Sequence, residues 1–266
     1  YTFPLRAAFD GEPLSLFADL VAAQPTEYAA FIDTGRFAVC SISPELFFRL
    51  DGEQLSAKPM KGTAARGHTL AEDEARIAEL RRSEKNRAEN LMIVDMLRND
   101  LGRVARVGSV TVPRLFEVER YPTLLQMTST VAARTRASVA EILASLFPCA
   151  SITGAPKVRS MEIIRELEPQ PRGVYTGAIG FIGPERHARF NVAIRTALID
   201  RKRRQVTYGV GGGLVWDSDA DGEYQECLLK TRVLTERRPA FQLLESLLWE
   251  PDSGYFLLAA HLARLA

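Results

Sequence analysis

The chain reads LFFRLDGEQLSA over residues 46–57 and continues as KPMKGT over residues 58–63. An Asp-Gly pair between two runs of strand-forming residues is typical of a two-residue β-hairpin loop, so Asp51-Gly52 predicts a hairpin. Counting outward from that loop places Glu45 opposite Lys58. The predicted hairpin therefore brings an acidic side chain close to the start of the KPMKGT segment.

Lys61 in that segment is the candidate nucleophile of the chain. A short predicted strand delivers it into a Gly62-Thr63 turn. Most lysines are solvated surface charges, so this interpretation depends on neighbouring groups that build a site around the amine. A lysine held uncharged in such a site can attack an electrophilic carbon.

The composition is that of an ordinary globular protein of 266 residues, with 46% hydrophobic and 25% charged residues. The 34 basic and 33 acidic residues give a net charge of +1, which disfavours nucleic acid and anionic membrane surfaces as partners. No apolar run approaches the roughly 18 residues of a membrane span. The opening Tyr1-Thr2-Phe3-Pro4 differs from a signal peptide and lacks an initiator Met, so we expect the chain to be a fragment.

The three cysteines, Cys40, Cys149 and Cys227, are far apart in the sequence. Their spacing fits neither a disulfide framework nor a metal site, which predicts a reducing compartment and, by default, the cytoplasm. None lies in the Gly-x-Cys-x-Gly context of a glutamine-cleaving nucleophile. The chain is therefore not expected to release ammonia from glutamine by itself.

Apolar periodicity, capping residues and turn signals divide the chain into helices and strands. Helices are predicted over residues 13–21, 83–101, 156–167 and 223–234, and two capping boxes mark further helix starts, at Thr69 with Glu72 and at Ser138 with Glu141. Strands are predicted over residues 29–33, 37–42, 46–50, 53–57, 174–182, 188–200 and 205–210.

Carboxylates on two predicted helices are candidate metal ligands. Glu223, Glu226 and Lys230 are spaced i, i+3 and i+7, so they share one helical face, which is either a solvated face with ordinary ion pairs or part of a site. Glu89 lies in a helix among large apolar residues, where it is either a rim residue or a buried carboxylate that needs a cation. Mg²⁺ held by one or two carboxylates and substrate oxygens would satisfy Glu89 and Glu226 together. The glycines at 211–213 would let backbone amides approach an anion nearby.

Seven segments, in one order along the chain, together resemble the chorismate-utilising enzymes. They are Ser43-Pro44-Glu45-Leu46, residues 58–63, residues 85–95, Arg98-Asn99-Asp100-Leu101, residues 152–157, residues 175–180 and Glu223-Tyr224-Gln225-Glu226. The resemblance covers about residues 1–234. Within the family, Lys61 resembles the lysine of aminodeoxychorismate synthase component I, since anthranilate synthase component I usually has alanine there.

This resemblance implies an α/β (α+β) fold of large, mostly antiparallel β-sheets flanked by helices, together with a set of site roles. Glu89 and Glu226, with Glu223 beside them, would hold Mg²⁺ against the ring carboxylate of chorismate. Glu45 would be the general acid at the 4-hydroxyl group, and Lys61 would attack C2 before ammonia adds at C4. We expect confinement near Lys58 and Mg²⁺ to keep the Lys61 amine uncharged.

Other residues resemble the family's substrate-binding positions. Arg195, Tyr175 and the amides of Gly211, Gly212 and Gly213 would bind the enolpyruvyl carboxylate, Thr63 would contact the substrate, and Lys230 would lie near the metal. Alternatively, Tyr175 is a core residue whose hydroxyl group contacts solvent. Cys149 stands where the family commonly has glycine.

The resemblance also implies partners and a domain division. A separate glutamine amidotransferase subunit would supply ammonia. Residues 1–236 would form the chorismate-binding catalytic domain and residues 237–240 a linker. Residues 241–266 resemble the start of an aminodeoxychorismate lyase of the class IV aminotransferase type, or else form an amphipathic tail that packs on the core.

The predicted function is Mg²⁺-dependent amination of chorismate to 4-amino-4-deoxychorismate, a step toward 4-aminobenzoate and folate. Anthranilate synthase component I and isochorismate synthase remain alternatives within the family. The alternative from another functional class is an inactive fragment that only serves as a docking module for the amidotransferase.

Overall fold

The computed structural model describes residues 1–121, 124–216, 218–235 and 245–265. The chain divides into two compact units, residues 1–235 and 236–266. The first unit holds strands and helices in this order: β1 Thr2–Ala8, α1 Pro13–Ala23, β2 Ala30–Asp33, β3 Phe37–Ser41, β4 Leu46–Asp51, β5 Gln54–Lys58, β6 Met60–Ala65, α2 Leu70–Arg82, α3 Glu84–Gly102, β7 Thr111–Arg120, β8 Leu124–Arg134, α4 Val139–Leu146, α5 Ala150–Thr153, α6 Lys157–Leu167, β9 Ala178–Ile182, β10 His187–Val192, β11 Thr196–Asp200, β12 Gln205–Gly211 and α7 Ala220–Thr235.

A five-stranded sheet has the order β1-β12-β11-β3-β2, and every pairing in it is antiparallel. Its core contains Cys40, Ile42, Val210 and Leu20, the last from helix α1. Helix α1 starts with Pro13 in its first turn, as predicted, because a proline lacks only an N–H group that would be unpaired there anyway.

A seven-stranded antiparallel sheet has the order β6-β8-β5-β4-β10-β9, with β7 also paired to β8. Strands β5 and β6 pair with successive parts of β8, residues 131–134 and 124–128, and Pro59 lies between them. Phe47, Phe48 and Leu97 are almost fully buried in the core that this sheet shares with helices α3 and α4. The expected fold of antiparallel sheets flanked by helices is confirmed.

The chain crosses between the two sheets at two neighbouring places. Strands β3 and β4 belong to different sheets and are joined by residues 42–45, while β10 and β11 are joined by residues 193–195. The two crossings are bonded to each other, since the Ile42 N–H group donates to the Arg195 carbonyl oxygen at 3.1 Å and the Val192 N–H group donates to the Glu45 carbonyl oxygen at 3.0 Å. The candidate acid Glu45 therefore lies at the junction of the two sheets.

The hairpin between β4 and β5 is confirmed, but its predicted register is wrong. The loop is Gly52-Glu53 rather than Asp51-Gly52, because the glycine takes the first loop position with a φ of +57°. A register irregularity further along then places Leu46, and not Glu45, opposite Lys58.

The helix predictions are confirmed to within a few residues, with one correction at a cap. The Ser138 capping box is complete, because its hydroxyl group and the Glu141 carboxylate each bond the other residue's backbone N–H group. At the other predicted capping box, the Thr69 hydroxyl group accepts from the Glu72 N–H group, but the Glu72 carboxylate accepts from the His68 N–H group instead.

The strand predictions need two corrections. The predicted strand over residues 188–200 is split into β10 and β11, because Arg195 has a φ of +48°, which a continuous strand does not allow. Residues 174–177 form a turn, so the predicted strand there begins only at Ala178. The short strand predicted to carry Lys61 is confirmed as β6, but it continues through Gly62 and Thr63 where a turn was predicted. Strands β1, β7 and β8 were not among the predicted elements.

The described part of the second unit contains the short hairpin β13 Trp249–Glu250 and β14 Gly254–Tyr255, followed by helix α8 Leu258–Leu265. The predicted linker at 237–240 and the predicted segment start at Phe241 lie outside the described residues. Within the described residues, no single helix has the length and apolar character to cross a membrane; Val139–Thr153 with Lys157–Leu167 meets both criteria only as a pair bent by 63°.

Candidate functional site

A cavity of about 730 Å³ brings together all twelve residues that the sequence analysis singled out as site residues. They are Glu45, Lys61, Thr63, Glu89, Tyr175, Arg195, Gly211, Gly212, Gly213, Glu223, Glu226 and Lys230. Its walls come from β6, α3, β12, α6 and α7 and from the crossing segments between the sheets. Residues from seven separate parts of the sequence therefore share one concave surface.

Glu45 is a buried carboxyl group that lines this cavity and is only 3% exposed. Burial raises the pKa of Glu45 to about 7, although hydrogen bonds from Ser151 and the Met60 backbone and the charges of Lys61 and Arg195 act in the opposite direction. The Glu45 Oε1 atom has no hydrogen-bond partner among the described residues. Glu45 can therefore hold a proton near neutral pH and keep one oxygen available to a ligand.

Lys61 lies in strand β6, and its Nζ atom forms no hydrogen bond or ion pair with the described residues. The Gly213 backbone is close to this amine, since a Cβ atom there would lie 3.4 Å from Nζ. Lys58 forms an ion pair with Glu119 instead of adding an unpaired positive charge. The expectation that Lys58 helps to keep Lys61 uncharged is therefore wrong, because the Glu119 carboxylate compensates its charge.

Arg195 offers a guanidinium group that has no hydrogen-bond or ion-pair partner in the described structure. Burial lowers the pKa of Arg195, while Tyr208, Tyr121 and Glu45 act to raise it. An arginine side chain carries five N–H donors in a planar fork that suits a carboxylate. The unpaired guanidinium group is thus ready to bind an anionic group in the cavity.

The glycines of the β12 end are needed because neighbouring groups approach them closely. A Cβ atom at Gly209 would lie 2.2 Å from the Tyr175 ring, and one at Gly211 would lie 2.4 Å from the Tyr1 carbonyl oxygen. A Cβ atom at Gly212 would lie 2.8 Å from the Glu223 carboxylate. Only glycine allows these approaches without displacement of the wall.

Three carboxylates lie at another part of the cavity, and two of them have partners within the protein. Glu226 forms an ion pair with Lys230 at 2.7 Å, and the Lys230 Nζ atom also donates to the Gly211 carbonyl oxygen at 2.8 Å. Glu223 accepts a hydrogen bond from the Ser218 hydroxyl group at 2.6 Å. Glu89, from helix α3, forms no hydrogen bond or ion pair with the described residues.

The described residues contain no group of three or more His, Cys, Asp or Glu side chains arranged to hold a metal ion. An unpaired Glu89 carboxylate in the same cavity as Glu223 and Glu226 nevertheless offers only oxygen donors. Mg²⁺ accepts one or two protein carboxylates, with substrate oxygens and water in its other positions. The donor chemistry therefore fits Mg²⁺ and disfavours a metal that prefers nitrogen or sulfur ligands.

The model of the chorismate binding enzyme family matches residues 1–236. This chain belongs to that family. The chloroplastic aminodeoxychorismate synthase of Arabidopsis thaliana is 46% identical over 232 residues, which are 85% of this chain and 25% of that protein. Anthranilate synthase component 1 1 of Haloarcula marismortui is 42% identical over 232 residues, which are 86% of this chain and 47% of that protein.

The chorismate-binding fold is shown by a solved structure as well. The crystal structure of anthranilate synthase component I from Streptococcus pneumoniae TIGR4 superposes with a TM-score of 0.81 at 32% identity, covering 88% of this chain and 52% of that chain. The chain thus spans between 25% and 52% of the lengths of these three proteins.

Several residues of the family motifs hold the fold together rather than line the site. Lys157 forms an ion pair with the buried Asp100 at 2.9 Å and donates to the Leu146 carbonyl oxygen at 3.0 Å. These bonds join helices α3, α4 and α6 beside the cavity. Cys149 has a φ of −57° and a ψ of 138°, so its backbone conformation does not require the glycine that is common in this chorismate-binding family.

Two polar residues of the cavity were not predicted from the sequence. The Gln126 side chain accepts from the Thr63 hydroxyl group at 3.0 Å and donates to the Gly62 carbonyl oxygen at 2.8 Å, which holds the irregular part of strand β6 after Lys61. Ser151 of helix α5 lines the same cavity and acts to lower the pKa of Glu45. Gln126 lies in a run of five consecutive buried residues of β8, 125–129, so the sequence pattern carries no signal for its role.

Proposed function

We propose that this chain forms the catalytic centre of an aminodeoxychorismate synthase component I, which aminates chorismate to 4-amino-4-deoxychorismate. The observation that carries the proposal is the presence of an unpaired Lys61 amine and the buried acid Glu45 in one cavity. A nucleophile and a proton donor acting on one substrate are what replacement of a hydroxyl group by an amino group requires.

The substrate would be oriented by its two carboxylates. The Arg195 guanidinium group and the amides of Gly211 and Gly213 would bind the enolpyruvyl carboxylate, which is supported by the absence of any other hydrogen-bond partner for the arginine side chain in the described structure. The Gly212 amide is not available to a ligand, because its N–H group donates to the Tyr1 carbonyl oxygen at 3.2 Å. Tyr175 packs its ring against Gly209 and would shape the same end. Thr63 would contact the substrate from strand β6, where its hydroxyl group is bonded to Gln126.

The ring carboxylate would face Glu89, Glu223 and Glu226, which we propose as the ligands of Mg²⁺. Bound Mg²⁺ would screen the substrate's negative charge from these carboxylates and withdraw electron density from the ring. Lys230 would move its ammonium group from Glu226 toward the substrate or remain on the Gly211 carbonyl oxygen.

The amination would proceed in two displacements. The neutral Lys61 amine forms a bond to C2 while the ring double bonds shift and the C4–O bond breaks, and Glu45 donates its proton so that the oxygen leaves as water. Ammonia then forms a bond to C4, the double bonds shift back, and the C2–N bond breaks. The new ammonium group returns a proton to Glu45, so the balance is chorismate plus ammonia to 4-amino-4-deoxychorismate plus water.

Ammonia would come from a separate glutamine amidotransferase subunit, with free ammonium as a substitute. None of the three cysteines in the sequence has the context of a glutamine-cleaving nucleophile. All three thiols are free and buried, which is compatible with the proposed cytoplasmic location. The product would serve 4-aminobenzoate and folate synthesis.

Mass-resolved product analysis tests the proposal. Purified chain is incubated with chorismate, Mg²⁺ and ammonium, and a parallel reaction lacks Mg²⁺. We expect 4-amino-4-deoxychorismate only with the metal. If hydroxylated isomers of chorismate form without any need for ammonium, the amination proposal fails. If no product forms even with the amidotransferase and with the further segments of a full-length relative supplied, the chain has only a docking role.

Anthranilate synthase activity is the second candidate, because the Haloarcula and Streptococcus relatives carry that name. That reaction aminates the ring and also eliminates the enolpyruvyl group as pyruvate. Release of pyruvate together with an aromatic amine in the same assay would replace the first proposal by the second. Retention of the enolpyruvyl group in the product supports the first.

A further inference from the structure

Strand β6 contains one residue more than the stretch of β8 with which it pairs. The register shifts between two pairs of opposing residues, Met60 with Thr128 and Thr63 with Gln126. Lys61 and Gly62 therefore lie together opposite the single residue Met127, which is the arrangement of a β-bulge. Gly62 has a φ of +86°, a conformation that glycine adopts without strain. The candidate nucleophile is thus the first of the two residues in a bulge.

The two faces of β8 show why an extra residue matters at this position. Met127 is fully buried on the face that packs against Ile77 and Leu80 of helix α2. Its neighbour Gln126 lines the cavity on the other face, because successive residues of a strand point to opposite faces. Opposing residues of paired strands share a face. In regular pairing, Lys61 would oppose Met127 and point toward the apolar core.

The bulge places Lys61 on the cavity side of the strand instead. The residues before and after the bulge, Met60 and Thr63, both line the cavity although they are three positions apart. Residues three positions apart point to opposite faces of a regular strand. Lys61 lines the same cavity, with its amine near the Gly213 backbone. The extra residue therefore allows all three side chains to reach one face.

The Gln126 side chain holds the bulge from the paired strand. Its amide N–H group donates to the Gly62 carbonyl oxygen at 2.8 Å, and its carbonyl oxygen accepts from the Thr63 hydroxyl group at 3.0 Å. Gln126 is only 5% exposed, so water competes little for either bond. A bulge disrupts the regular ladder of backbone hydrogen bonds. The glutamine amide supplies bonds to the backbone and side chain at the place where the ladder is disrupted.

We propose that the bulge at Lys61 and Gly62 directs the lysine amine into the cavity, and that Gln126 is the positioning residue that holds this bulge. Gln126 acts through Lys61 and takes no part in the chemical step itself. A reacting group contributes to rate only when it is held close to the productive geometry. This inference deepens the proposed function and rests on it, because it concerns the nucleophile of that reaction.

The NMR signal of the Lys61 ε carbon in the substrate-free chain tests the role of Gln126. The chain has six lysines, and labelling each ε carbon with carbon-13 gives one signal per lysine. The signal that is absent from Lys61→Arg belongs to Lys61. Gln126→Met removes both hydrogen bonds and keeps the length of the side chain. We expect the Lys61 signal to move toward that of the exposed Lys202, because the Gly62 peptide is then free to rotate.

Gln24→Met is the matched control. Gln24 is also 5% exposed, and its amide group donates to the Ile42 carbonyl oxygen at 3.5 Å. We expect this variant to leave the Lys61 signal unchanged. In Gln126→Met, kcat should fall about tenfold while KM for chorismate changes less than about twofold, since the nucleophile and not the binding site is displaced. A stability loss shared by the two variants cannot explain an effect confined to one.

Deletion of Gly62 tests whether the bulge sets the direction of the lysine. The deletion makes Lys61 the one residue opposite Met127 and keeps the pairing on both sides. We expect kcat to fall as far as in Lys61→Ala. We also expect Lys61→Leu to raise the urea midpoint much more in the chain without Gly62 than in the intact chain. Only after the deletion would position 61 face the apolar core.

An unmoved Lys61 signal in Gln126→Met overturns the positioning role, as does an equal movement in Gln24→Met. Equal effects of Lys61→Leu with and without Gly62 overturn the role of the bulge. If the chain without Gly62 does not fold, the signals of the two glutamine variants decide by the same criterion.

The spectra and the urea midpoints need no turnover, so they separate this inference from the proposed function. The expected changes in a chain that forms no 4-amino-4-deoxychorismate would leave the bulge and Gln126 in their roles and remove the proposed function. Product formation together with an unmoved Lys61 signal in Gln126→Met would do the reverse.

Discussion

The two ends of the cavity are built in different ways. At one end, Glu45 and Arg195 lie on backbone segments that cross between the two sheets, and Glu45 is 3% exposed. At the other end, Glu223 and Glu226 project from one face of helix α7, and each already has a partner within the protein. The acid end presents an unpaired oxygen, whereas two of the three carboxylates of the metal end are occupied.

This difference indicates that ligand binding requires different amounts of rearrangement at the two ends. The acid end is fixed by the fold and needs no rearrangement, so its electrostatic effect is present before the substrate arrives. At the metal end, a cation must compete with the Lys230 ammonium group for Glu226 and with the Ser218 hydroxyl group for Glu223. Substitutions should therefore affect the chemical step at one end and ligand affinity at the other.

The largest expected effect comes from Lys61→Ala, which removes the nucleophile next to the acid end. We expect kcat to fall by about 10⁴-fold or more, because the alanine variant has no amine to form the covalent intermediate. Binding of chorismate and Mg²⁺ should remain largely intact, as measured by calorimetry. Lys85→Ala is the matched control, since Lys85 lines the cavity but is exposed. Full activity of Lys61→Ala would remove the covalent role.

Glu45→Gln should have the next largest effect, a decrease in kcat of about 10³-fold, because glutamine cannot donate a proton to the departing oxygen. In the wild type, activity should decline as pH rises above about 7, where the raised pKa of Glu45 leaves the acid deprotonated. The pH dependence of kcat should lose this decline in the variant. Asp95→Asn, an exposed carboxylate of helix α3, is the control, and an unchanged decline in Glu45→Gln would assign the acid elsewhere.

Glu45→Gln should also stabilise the fold at alkaline pH. The folded pKa of Glu45, about 7, is above the 4.5 of an ordinary glutamate, so the folded state binds the proton more tightly and loses stability as pH rises from 4.5 to 7. Glu45→Gln imitates the protonated form and should unfold with about 3 kcal/mol more free energy than the wild type at pH 8.

At pH 4 the gain in unfolding free energy of Glu45→Gln should vanish, because the wild-type acid is then protonated in both the folded and the unfolded state. Urea denaturation at the two pH values measures the difference. A gain that is equal at both pH values would mean that packing, and not ionisation, separates the two proteins. This comparison tests whether the buried acid end differs from the more exposed metal end in its electrostatics.

Glu226→Gln should have the smallest effect of this series and should act on affinity. We expect the Mg²⁺ concentration for half-maximal activity to rise at least about tenfold, with kcat largely recovered at high Mg²⁺. Lys230→Met should shift that concentration in the opposite direction, because it removes the competitor for the Glu226 carboxylate. If both variants weaken Mg²⁺ equally, the competition between lysine and metal does not exist.

Much of the fold follows from local signals. Pro13, Ser83 and Ser138 start helices where the sequence predicts them, because each satisfies or removes an orphan N–H group of the first turn. Strands β7 and β8 carry no comparable signal. Strand β8 buries Gln126, Thr128 and Ser129, so apolar and polar residues do not alternate in it.

The hairpin register shows the limit of local rules most clearly. The Asp-Gly pair predicts a turn correctly, but the position of the loop depends on Gly52, and the irregularity that follows depends on packing between sheets. Turn residues alone cannot predict the strand register beyond a bulge.

The composition of the cavity was predictable through the resemblance to a family, and its electrostatics was not. The resemblance supplied the twelve candidate residues, seven of them within the quoted motifs, and all twelve line one cavity. The near-neutral pKa of Glu45 depends on burial by residues from distant parts of the chain, and the Cys149 to Ser151 bond depends on a turn between two helices. Neither the pKa nor this bond can be predicted from the spacing of residues in the sequence.

The two bonded crossings between the sheets also determine how the protein can fluctuate. The Ile42 and Val192 amides are bonded to the carbonyl oxygens of Arg195 and Glu45 and extend the β3–β11 and β4–β10 pairings, so we expect their hydrogens to exchange for deuterium only when those paired strands separate. Helix α7 lies outside these crossings, and we expect it to open at lower free energy because Cys227 is its only buried residue among those described. Fluctuations that admit and release a cation at Glu226 can therefore occur many times while the acid of the site stays in place.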